Sequence, residues 1–247
     1  MSLPLAPLAR IGAYTLKNHI KGGKYPLVLM LEPLLRCNLA CPGCGKIDYP
    51  DAILNQRLSY DQCMDAIDEC GAPAVSIAGG EPLLHRDMPK IVQGYIAKKK
   101  FVILCTNALL MKKKLPQIVE GAIAKKKWVT VCTNALLLER HLPKYKPNKR
   151  FNWSIHLDGD KGMHDHAVDQ AGTYEVAIEA IEMAKAKGFR VQVNCTVFDG
   201  ADPTRLAAFF DEMQKRGVEI TISPGYSYER AADQEHFLTR ERTKNFF

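Results

Sequence analysis

The stretch Cys37-Asn38-Leu39-Ala40-Cys41-Pro42-Gly43-Cys44 places three thiols in C-x3-C-x2-C spacing, on a predicted loop that follows the β-like run Leu27–Glu32. Structural zinc usually takes four ligands from two short knuckles, and the next cysteine, Cys63, lies far downstream in a predicted helix. A 4Fe-4S cluster accepts three protein thiolates when one iron is kept for another ligand. The spacing therefore favours such a cluster on Cys37, Cys41 and Cys44 over zinc or unrelated buried thiols.

Short β-like runs alternate with helical patterns along the rest of the chain, which predicts repeated βα units and a parallel sheet, open or curled toward a barrel. The runs are nearly all apolar, so we expect strands that are buried on both faces. The predicted strands are Leu27–Glu32, Ala74–Ala78, Phe101–Cys105, Trp128–Cys132, Asn152–Leu157, Val191–Val197 and Glu219–Ser223. The predicted helices are Ser59–Cys70, Met88–Ala97, Thr173–Ala186 and Pro203–Arg216.

One helix–strand unit is duplicated. Residues 89–115 and 116–142 align without a gap at an offset of 27 and match at 17 of 27 positions. The second copy either adds a seventh strand to a six-unit sheet or is displaced from it. Thr130 brings a hydroxyl into the second run, so we favour the first copy as the core strand. The predicted fold is α/β, a partial (βα)6 barrel with one duplicated helix–strand unit.

Length and composition set the broad class. The chain has 247 residues, 47% hydrophobic, with a net charge of +7 and eight cysteines. No apolar run is long enough to cross a membrane, and too few cysteines are present for a disulfide scaffold, so a cytoplasmic protein with free thiols is expected. Lysine runs such as Lys98–Lys100 and Lys125–Lys127 are read as solvated helix ends rather than a nucleic-acid or acidic-lipid surface.

The predicted organisation has three parts. Residues 1–25 form a helical segment, residues 26–231 form the barrel, and residues 232–247 begin a C-terminal region. Within the first part, Leu8–Lys21 alternates apolar and basic groups. We expect this helix to plug one end of the sheet, and the alternative is a basic amphipathic surface that contacts the inner face of a membrane.

A second motif follows the second predicted strand, at Gly79-Gly80-Glu81-Pro82. Paired glycines allow close backbone approach to a ligand, and a carboxylate can receive an ammonium group. Together with the cysteine loop, this turn resembles the radical S-adenosylmethionine (SAM) superfamily. The resemblance implies that three cysteines hold a 4Fe-4S cluster, that SAM chelates the open iron, and that residues 79–82 bind the SAM amino group.

Further segments resemble related enzymes and imply two more SAM contacts, Thr106 in Cys105-Thr106-Asn107 and Ser154 in Ser154-Ile155-His156-Leu157-Asp158-Gly159. The wider set is similar to the hopanoid-biosynthesis proteins of the adenosyl-hopene transferase family, although those have one copy of the duplicated unit and continue past Phe247. The segments that carry this similarity are Leu31–Asn38, Gly45–Pro50, Leu157–Asp160, His164–Val168 and Ser223–Ala231.

That resemblance implies a transferase that cleaves SAM reductively and adds the 5′-deoxyadenosyl radical to the alkene of hopene. Its partners would be the triterpene lipid and an electron donor such as flavodoxin or ferredoxin, without nucleic acid. The adduct radical must then be quenched. A thiol hydrogen donor fits this requirement, and Cys105 or its duplicate Cys132 is the candidate. Only one of these is expected to face the pocket, with a preference for Cys105, because successive parallel strands should point their carboxyl ends at different sectors of the barrel mouth. The alternatives are hydrogen abstraction from another substrate and an inactive iron–sulfur protein.

The remaining cysteines and histidines have simpler interpretations. Cys63 and Cys70 share one helix face, and Cys195 lies inside a strand, so all three are expected to pack in the core. His156, His164 and His166 surround an Asp-rich loop, where hydrogen bonding is favoured over a second metal.

Overall fold

The structure is a computed structural model that describes residues 5–37, 49–107, 114–225 and 237–246. Its described strands form one seven-stranded parallel sheet in chain order, which curls into a half-barrel. The strands are β1 (Val28–Leu31), β2 (Ala74–Ile77), β3 (Phe101–Cys105), β4 (Val129–Thr133), β5 (Phe151–His156), β6 (Arg190–Val197) and β7 (Glu219–Pro224). All seven predicted strands are therefore present.

The helices lie mainly between successive strands, as the βα pattern predicts. They are α1 (Leu5–Lys21), α2 (Asp51–Leu54), α3 (Tyr60–Cys70), α4 (Met88–Ala97), α5 (Lys114–Ala124), α6 (Leu138–His141), α7 (Lys161–Ala167), α8 (Thr173–Ala186), α9 (Pro203–Lys215) and α10 (Arg240–Phe246). The four predicted helices correspond to α3, α4, α8 and α9.

Local sequence signals explain where these helices begin and end. Ser59 Oγ accepts the Gln62 backbone N–H at 3.1 Å while the Gln62 side chain accepts the Ser59 N–H at 2.7 Å, a reciprocal cap at the start of α3. Asp202 caps α9 ahead of Pro203. Gly188 and Gly217 follow α8 and α9 with φ of 81° and 65°, the left-handed conformation that ends a helix at little steric cost.

Both copies of the duplicated unit join the sheet. β3 and β4 are hydrogen-bonded neighbours in a register that pairs Val102 with Val129 and Cys105 with Cys132. The seventh-strand alternative is thus correct, and the preference for the first copy as the core strand is wrong. Thr130 does not exclude β4 from the core, because its side chain is half-buried and lies on the opposite face from the buried Val129 and Val131.

The two faces of the sheet differ. On the central strands the outer face lies under the helices and is buried, as Val102, Leu104, Val131 and Trp153 illustrate, whereas Ile222 on the edge strand β7 is 41% exposed. The inner face is only partly covered, since buried and half-buried residues alternate along β3, β4 and β6. The expectation of strands buried on both faces is therefore wrong for these strands, whose single layer of helices covers one face.

Helix α1 lies beside the amino-terminal ends of the strands. Its residues Arg10, Ile11 and Tyr14 border a cavity together with Phe101 and Trp128, which begin or precede β3 and β4. Among the residues described, no helix combines the length and apolar character that a membrane crossing requires.

Candidate active site

The chain segment that leads to the first cysteine lies directly against the Gly79–Gly80 turn. A Cβ added at Gly79 would come 2.3 Å from the Leu34 carbonyl oxygen, and one at Gly80 would come 2.2 Å from that of Arg36. Gly79 also has a φ of +105°, which side-chain-bearing residues rarely adopt. The paired glycines are therefore required by a close approach of the protein's own backbone, in addition to any ligand.

Hydrogen bonds hold this arrangement. The Gly80 N–H donates to the Leu34 carbonyl at 3.1 Å, and the Glu81 N–H donates to the Arg36 carbonyl at 2.9 Å. Pro82 then begins a buried 3₁₀ turn, Pro82–Leu84. The sheet thus places Cys37 beside the Gly-Gly-Glu-Pro turn, as the combined motifs predict.

Glu81 is completely buried, and its carboxylate is surrounded by donors from the chain. It accepts the Leu83 N–H at 2.8 Å, the Thr106 hydroxyl at 2.8 Å and the Asn107 N–H at 2.8 Å. Burial raises the pKa of Glu81, while these three hydrogen bonds act in the opposite direction. The carboxylate therefore ties the end of β2 to the end of β3.

The turn after β3 also contacts the cysteine loop, since the Asn107 side-chain amide donates to Cys37 Sγ at 3.6 Å. Two of the three expected cluster ligands, Cys41 and Cys44, lie outside the described residues, as do residues 45–48 and 226–231 of the segments quoted above. Their roles stay predictions.

Cys105 and Cys132 lie side by side at the carboxyl ends of β3 and β4. They are partners in the strand register, and each thiol perturbs the pKa of the other. The expectation that the two would point into different sectors is wrong, because equivalent positions of adjacent parallel strands lie on the same face.

The hydrogen bond between the thiols separates their acidities. The bond from Cys132 lowers the pKa of Cys105, and Ser76, whose hydroxyl lies 4.0 Å from Cys105 Sγ, acts in the same direction. The same bond, together with burial, raises the pKa of Cys132 well above its ordinary value. Cys105 is therefore the more acidic thiol of the pair, and Cys132 holds its proton more firmly.

A polar row continues from the thiols across the inner face. Ser154 pairs with Cys132 in register, is almost fully buried and accepts a hydrogen bond from the Gln192 amide at 3.2 Å. Ser76 extends the row on the other side of Cys105. The structure thus brings Ser76, Cys105, Cys132 and Ser154 together on four consecutive strands, and it joins Thr106 to Glu81 on a separate network.

A histidine–aspartate pair on this face was not predicted as a site. His156 Nε2 lies 2.8 Å from Asp158 Oδ2, and the Asp158 carboxylate also accepts the Thr196 N–H at 2.7 Å. Burial lowers the pKa of His156, but the Asp158 charge and hydrogen bond outweigh it, so the net shift is upward. The alternation of Ser154, His156 and Asp158 along one strand was the available signal.

The other cysteines and histidines have structural positions. Cys63 and Cys195 are fully buried in the core, whereas Cys70 is half-buried and packs at its margin. Burial lowers the pKa of His164 to about 4, and its Nδ1 accepts the Asp158 N–H at 3.3 Å. Cys63 and Cys195 therefore pack in the core as expected, Cys70 reaches only its margin, and His164 makes a structural hydrogen bond.

The described residues fit the cofactors implied by the motifs. Cys37 presents a soft sulfur ligand, and the backbone contacts of Gly79 and Gly80 fix it beside a buried acidic turn. Gly79 and Gly80 are half-buried, so part of their surface stays open to a ligand at this edge. The arrangement suits a cluster that is bound through thiolates at the carboxyl ends of the strands.

Comparison with known proteins agrees with this site. A family model described as the Radical SAM superfamily matches residues 31–213. The 7-carboxy-7-deazaguanine synthase of Aquifex aeolicus is 32% identical over 76 residues, which are 30% of this chain and 33% of that protein. A PqqA peptide cyclase of Xanthomonas oryzae pv. oryzae is 35% identical over 72 residues, 27% of this chain and 18% of that protein. The chain thus matches a third or less of these curated relatives.

Solved structures share the fold over most of the chain. SuiB of Streptococcus suis superposes with a TM-score of 0.54 at 15% identity, covering 96% of this chain and 48% of SuiB. The enzyme anSMEcpe with bound AdoMet and a peptide gives a TM-score of 0.50 at 17% identity, covering 90% of this chain and 57% of that one. The family match spans the cysteine loop, the Gly-Gly-Glu-Pro turn and the inner-face row, so this chain belongs to the Radical SAM superfamily, whose members use a 4Fe-4S cluster and SAM.

Proposed function

We propose that the chain cleaves SAM reductively and adds the 5′-deoxyadenosyl radical to the alkene of hopene (diploptene), which forms adenosylhopane. Membership of the superfamily supplies the SAM chemistry. The substrate assignment is supported by the segments that resemble the hopanoid-biosynthesis proteins, among them Leu31–Asn38 and Leu157–Asp160.

In this proposal, Cys37, Cys41 and Cys44 hold the cluster, and residues 79–82 with Thr106 and Ser154 hold SAM. The bound cofactors supply the 5′-deoxyadenosyl radical. Glu81 positions the site, since its carboxylate fixes Thr106 and Asn107 beside Cys37. The buried Glu81 network also keeps water away from the turn.

The thiol pair is the observation that carries the proposal. Addition to an alkene leaves a carbon radical on the product, and this radical must take a hydrogen atom. Cys105 and Cys132 provide S–H groups on the inner face, next to Ser76 and Ser154. Transfer breaks an S–H bond, forms a stronger C–H bond and leaves the unpaired electron on sulfur. The preference for Cys105 stays a prediction, and the firmer proton on Cys132 makes it the competing donor.

A second candidate is hydrogen abstraction from a peptide substrate. It is favoured by the 35% identity to a PqqA peptide cyclase, although this covers only 72 residues. The two reactions have different products, because abstraction releases 5′-deoxyadenosine whereas addition incorporates it. An inactive iron–sulfur protein would give neither.

The test is anaerobic reconstitution with iron and sulfide, followed by reaction with dithionite, SAM and diploptene and analysis by mass spectrometry. We expect adenosylhopane as the product. The Cys105→Ala/Cys132→Ala double variant should still consume SAM but lose the reduced adduct, and Cys70→Ala serves as a matched thiol control outside the row. Release of 5′-deoxyadenosine without adduct would contradict the addition reaction, and undiminished adduct in the double variant would exclude the thiol donors.

Cluster binding is tested separately from catalysis. Changing Cys37, Cys41 or Cys44 to Ala should each remove the cluster absorbance and SAM cleavage together. Cluster formation that survives in all three variants would overturn the ligand assignment.

The lipid substrate and the electron donor belong to the same proposal. Leu16 and Ile20 of α1 are 62% and 76% exposed and lie close in sequence to Lys17 and Lys21. These side chains support peripheral contact with an anionic membrane surface, from which hopene could be taken up. Reduction would come from a flavodoxin or ferredoxin.

A further inference from the structure

A cavity of about 590 Å³ lies at the amino-terminal ends of the strands, between α1 and the sheet. It is at the opposite end from the Gly-Gly-Glu-Pro turn and the thiol pair, which follow the strands' carboxyl ends. Its volume is in the range of small-molecule sites. The cavity is therefore separate from the candidate active site.

The lining of this cavity is strongly basic. Eight of its fourteen lining residues are Lys or Arg, and none of these described lining residues is Asp or Glu. The basic residues are Arg10, Lys98, Lys99, Lys100, Lys126, Lys127, Lys149 and Arg150. Because like charges repel, such a concentration favours a bound anion.

Helix ends explain only some of these charges. Lys98–Lys100 and Lys126–Lys127 follow α4 and α5, where cations favour the helix dipole. Lys98 also pairs with Asp68 at 2.5 Å, and Lys100 donates to the Ala72 carbonyl at 2.7 Å. In contrast, Arg10 lies within α1 and Arg150 lies just before β5, so neither follows from the helix-end account.

Arg150 also lines the cavity. Its Nε is buried and does not face the cavity, so contact with a ligand would come from the terminal nitrogens of the guanidinium. A planar guanidinium is well suited to a phosphate group, because its N–H groups can donate to two oxygens.

We propose that this cavity binds a ligand that carries phosphate groups, held by Arg150 and by the lysines that follow α4 and α5. The phosphate could belong to a soluble diphosphate or to the headgroup of an anionic lipid, since both offer the same oxygens. Trp128 lines the cavity beside these lysines, so its fluorescence should report binding.

Inorganic pyrophosphate is the soluble probe, with binding measured by calorimetry and by tryptophan fluorescence. Lys126→Gly tests the site, because Lys126 has a φ of 56° and glycine accepts that conformation with less strain. The variant should fold at least as well as the parent while its affinity for pyrophosphate falls by about tenfold or more. Lys125→Ala is the matched control, since Lys125 belongs to the same run and is exposed but does not line the cavity.

A second experiment distinguishes the source of the phosphate. Sedimentation with vesicles of phosphatidylglycerol is compared with phosphatidylcholine, for the parent, Lys126→Gly and Lys125→Ala. If pyrophosphate binding is lost in Lys126→Gly, the ligand is a soluble phosphate compound. If vesicle binding is lost in Lys126→Gly, the ligand is a lipid headgroup. Equal losses in the two variants, or no binding of either probe by the parent, would overturn the proposal. The Trp128→Phe variant should bind pyrophosphate in calorimetry without the fluorescence change.

Discussion

The strands of the two copies lead into the same sequence, Cys-Thr-Asn, but these residues make different contacts. In the first copy, Thr106 and Asn107 bind the Glu81 carboxylate, and the Asn107 side chain also contacts Cys37. In the second copy, the described hydrogen bonds are local: the Thr133 hydroxyl accepts the Ala135 N–H, and the Asn134 side chain accepts the Leu136 N–H, both at 3.3 Å.

Position in the sheet explains the difference. β3 neighbours β2, which leads into the Gly79–Pro82 turn, whereas β4 lies one strand farther away. The same Cys-Thr-Asn sequence therefore supports the candidate active site in one copy and precedes a local turn in the other. Only the cysteine position acts jointly, because Cys105 and Cys132 are register partners.

The largest contrast between the copies should come from their threonines. Thr106→Val removes a hydroxyl from the buried Glu81 carboxylate, and we expect a loss of about 1.5–3 kcal/mol in the free energy of unfolding. Thr133→Val removes one longer, local hydrogen bond and should cost under about 1 kcal/mol. Urea denaturation of both variants measures the contrast, and equal losses would show that the two turns have equivalent roles.

The thiols should differ in reactivity. Because the Cys132 hydrogen bond lowers the pKa of Cys105, Cys105 should become a thiolate at lower pH and react with iodoacetamide about tenfold faster near neutrality. Peptide mass spectrometry across a pH series measures this. Cys132→Ala should shift the Cys105 profile to higher pH, whereas Cys70→Ala should not. Faster modification of Cys132 would contradict the direction of the hydrogen bond.

Glycines at equivalent positions of α4 and α5 should respond unequally. An alanine Cβ at Gly94 would lie 2.6 Å from Met64 Sδ and 2.9 Å from the Tyr60 hydroxyl, so Gly94→Ala should destabilise by about 1–3 kcal/mol. At Gly121 the nearest atom is Gln93 Nε2, at 2.1 Å, but it is the far end of a long side chain that can turn away, and the higher helix propensity of alanine offsets the cost of moving it by about 1 kcal/mol. Thermal unfolding compares them, and a larger loss at Gly121 would reverse the expected order.

The smallest contrast concerns the ends of the same two helices. Lys99 and Lys126 have φ values of 63° and 56°, a left-handed conformation that costs less with glycine. Lys99→Gly and Lys126→Gly should each raise the free energy of unfolding by up to about 1 kcal/mol. Denaturation with and without pyrophosphate measures the change. A gain in one copy alone would mean that the two helix ends are not equivalent.

The sequence predicted the strands and the principal helices because each carries local signals. Ser59 and Asp202 mark helix starts, Gly188 and Gly217 mark ends, and apolar runs mark the strands. The partial exposure of the inner face was missed, although β6 alternates polar and apolar residues from Arg190 to Val197 and could have indicated it.

The site was predictable only in part. The spacing of the cysteines pointed to Cys37, and paired glycines pointed to the next turn. The contacts of Glu81 with Thr106 and Asn107 depend on which strands are neighbours, and no local pattern records this. The contact between the two thiols could be predicted only after the two copies were known to form neighbouring strands. Residues 27 positions apart are then partners in the strand register.

The extra strand also changes a distance along the sheet. Neighbouring strands lie about 4.8 Å apart, so the end of β2 and Ser154 on β5 are separated by three intervals, or about 14 Å. With a single copy there would be two intervals, or about 10 Å. Measured along the sheet, the path from the Gly79–Pro82 turn to Ser154 is therefore longer by one strand width than it would be with a single copy. The duplication thus widens the arc of the half-barrel between two groups proposed to contact the same ligand.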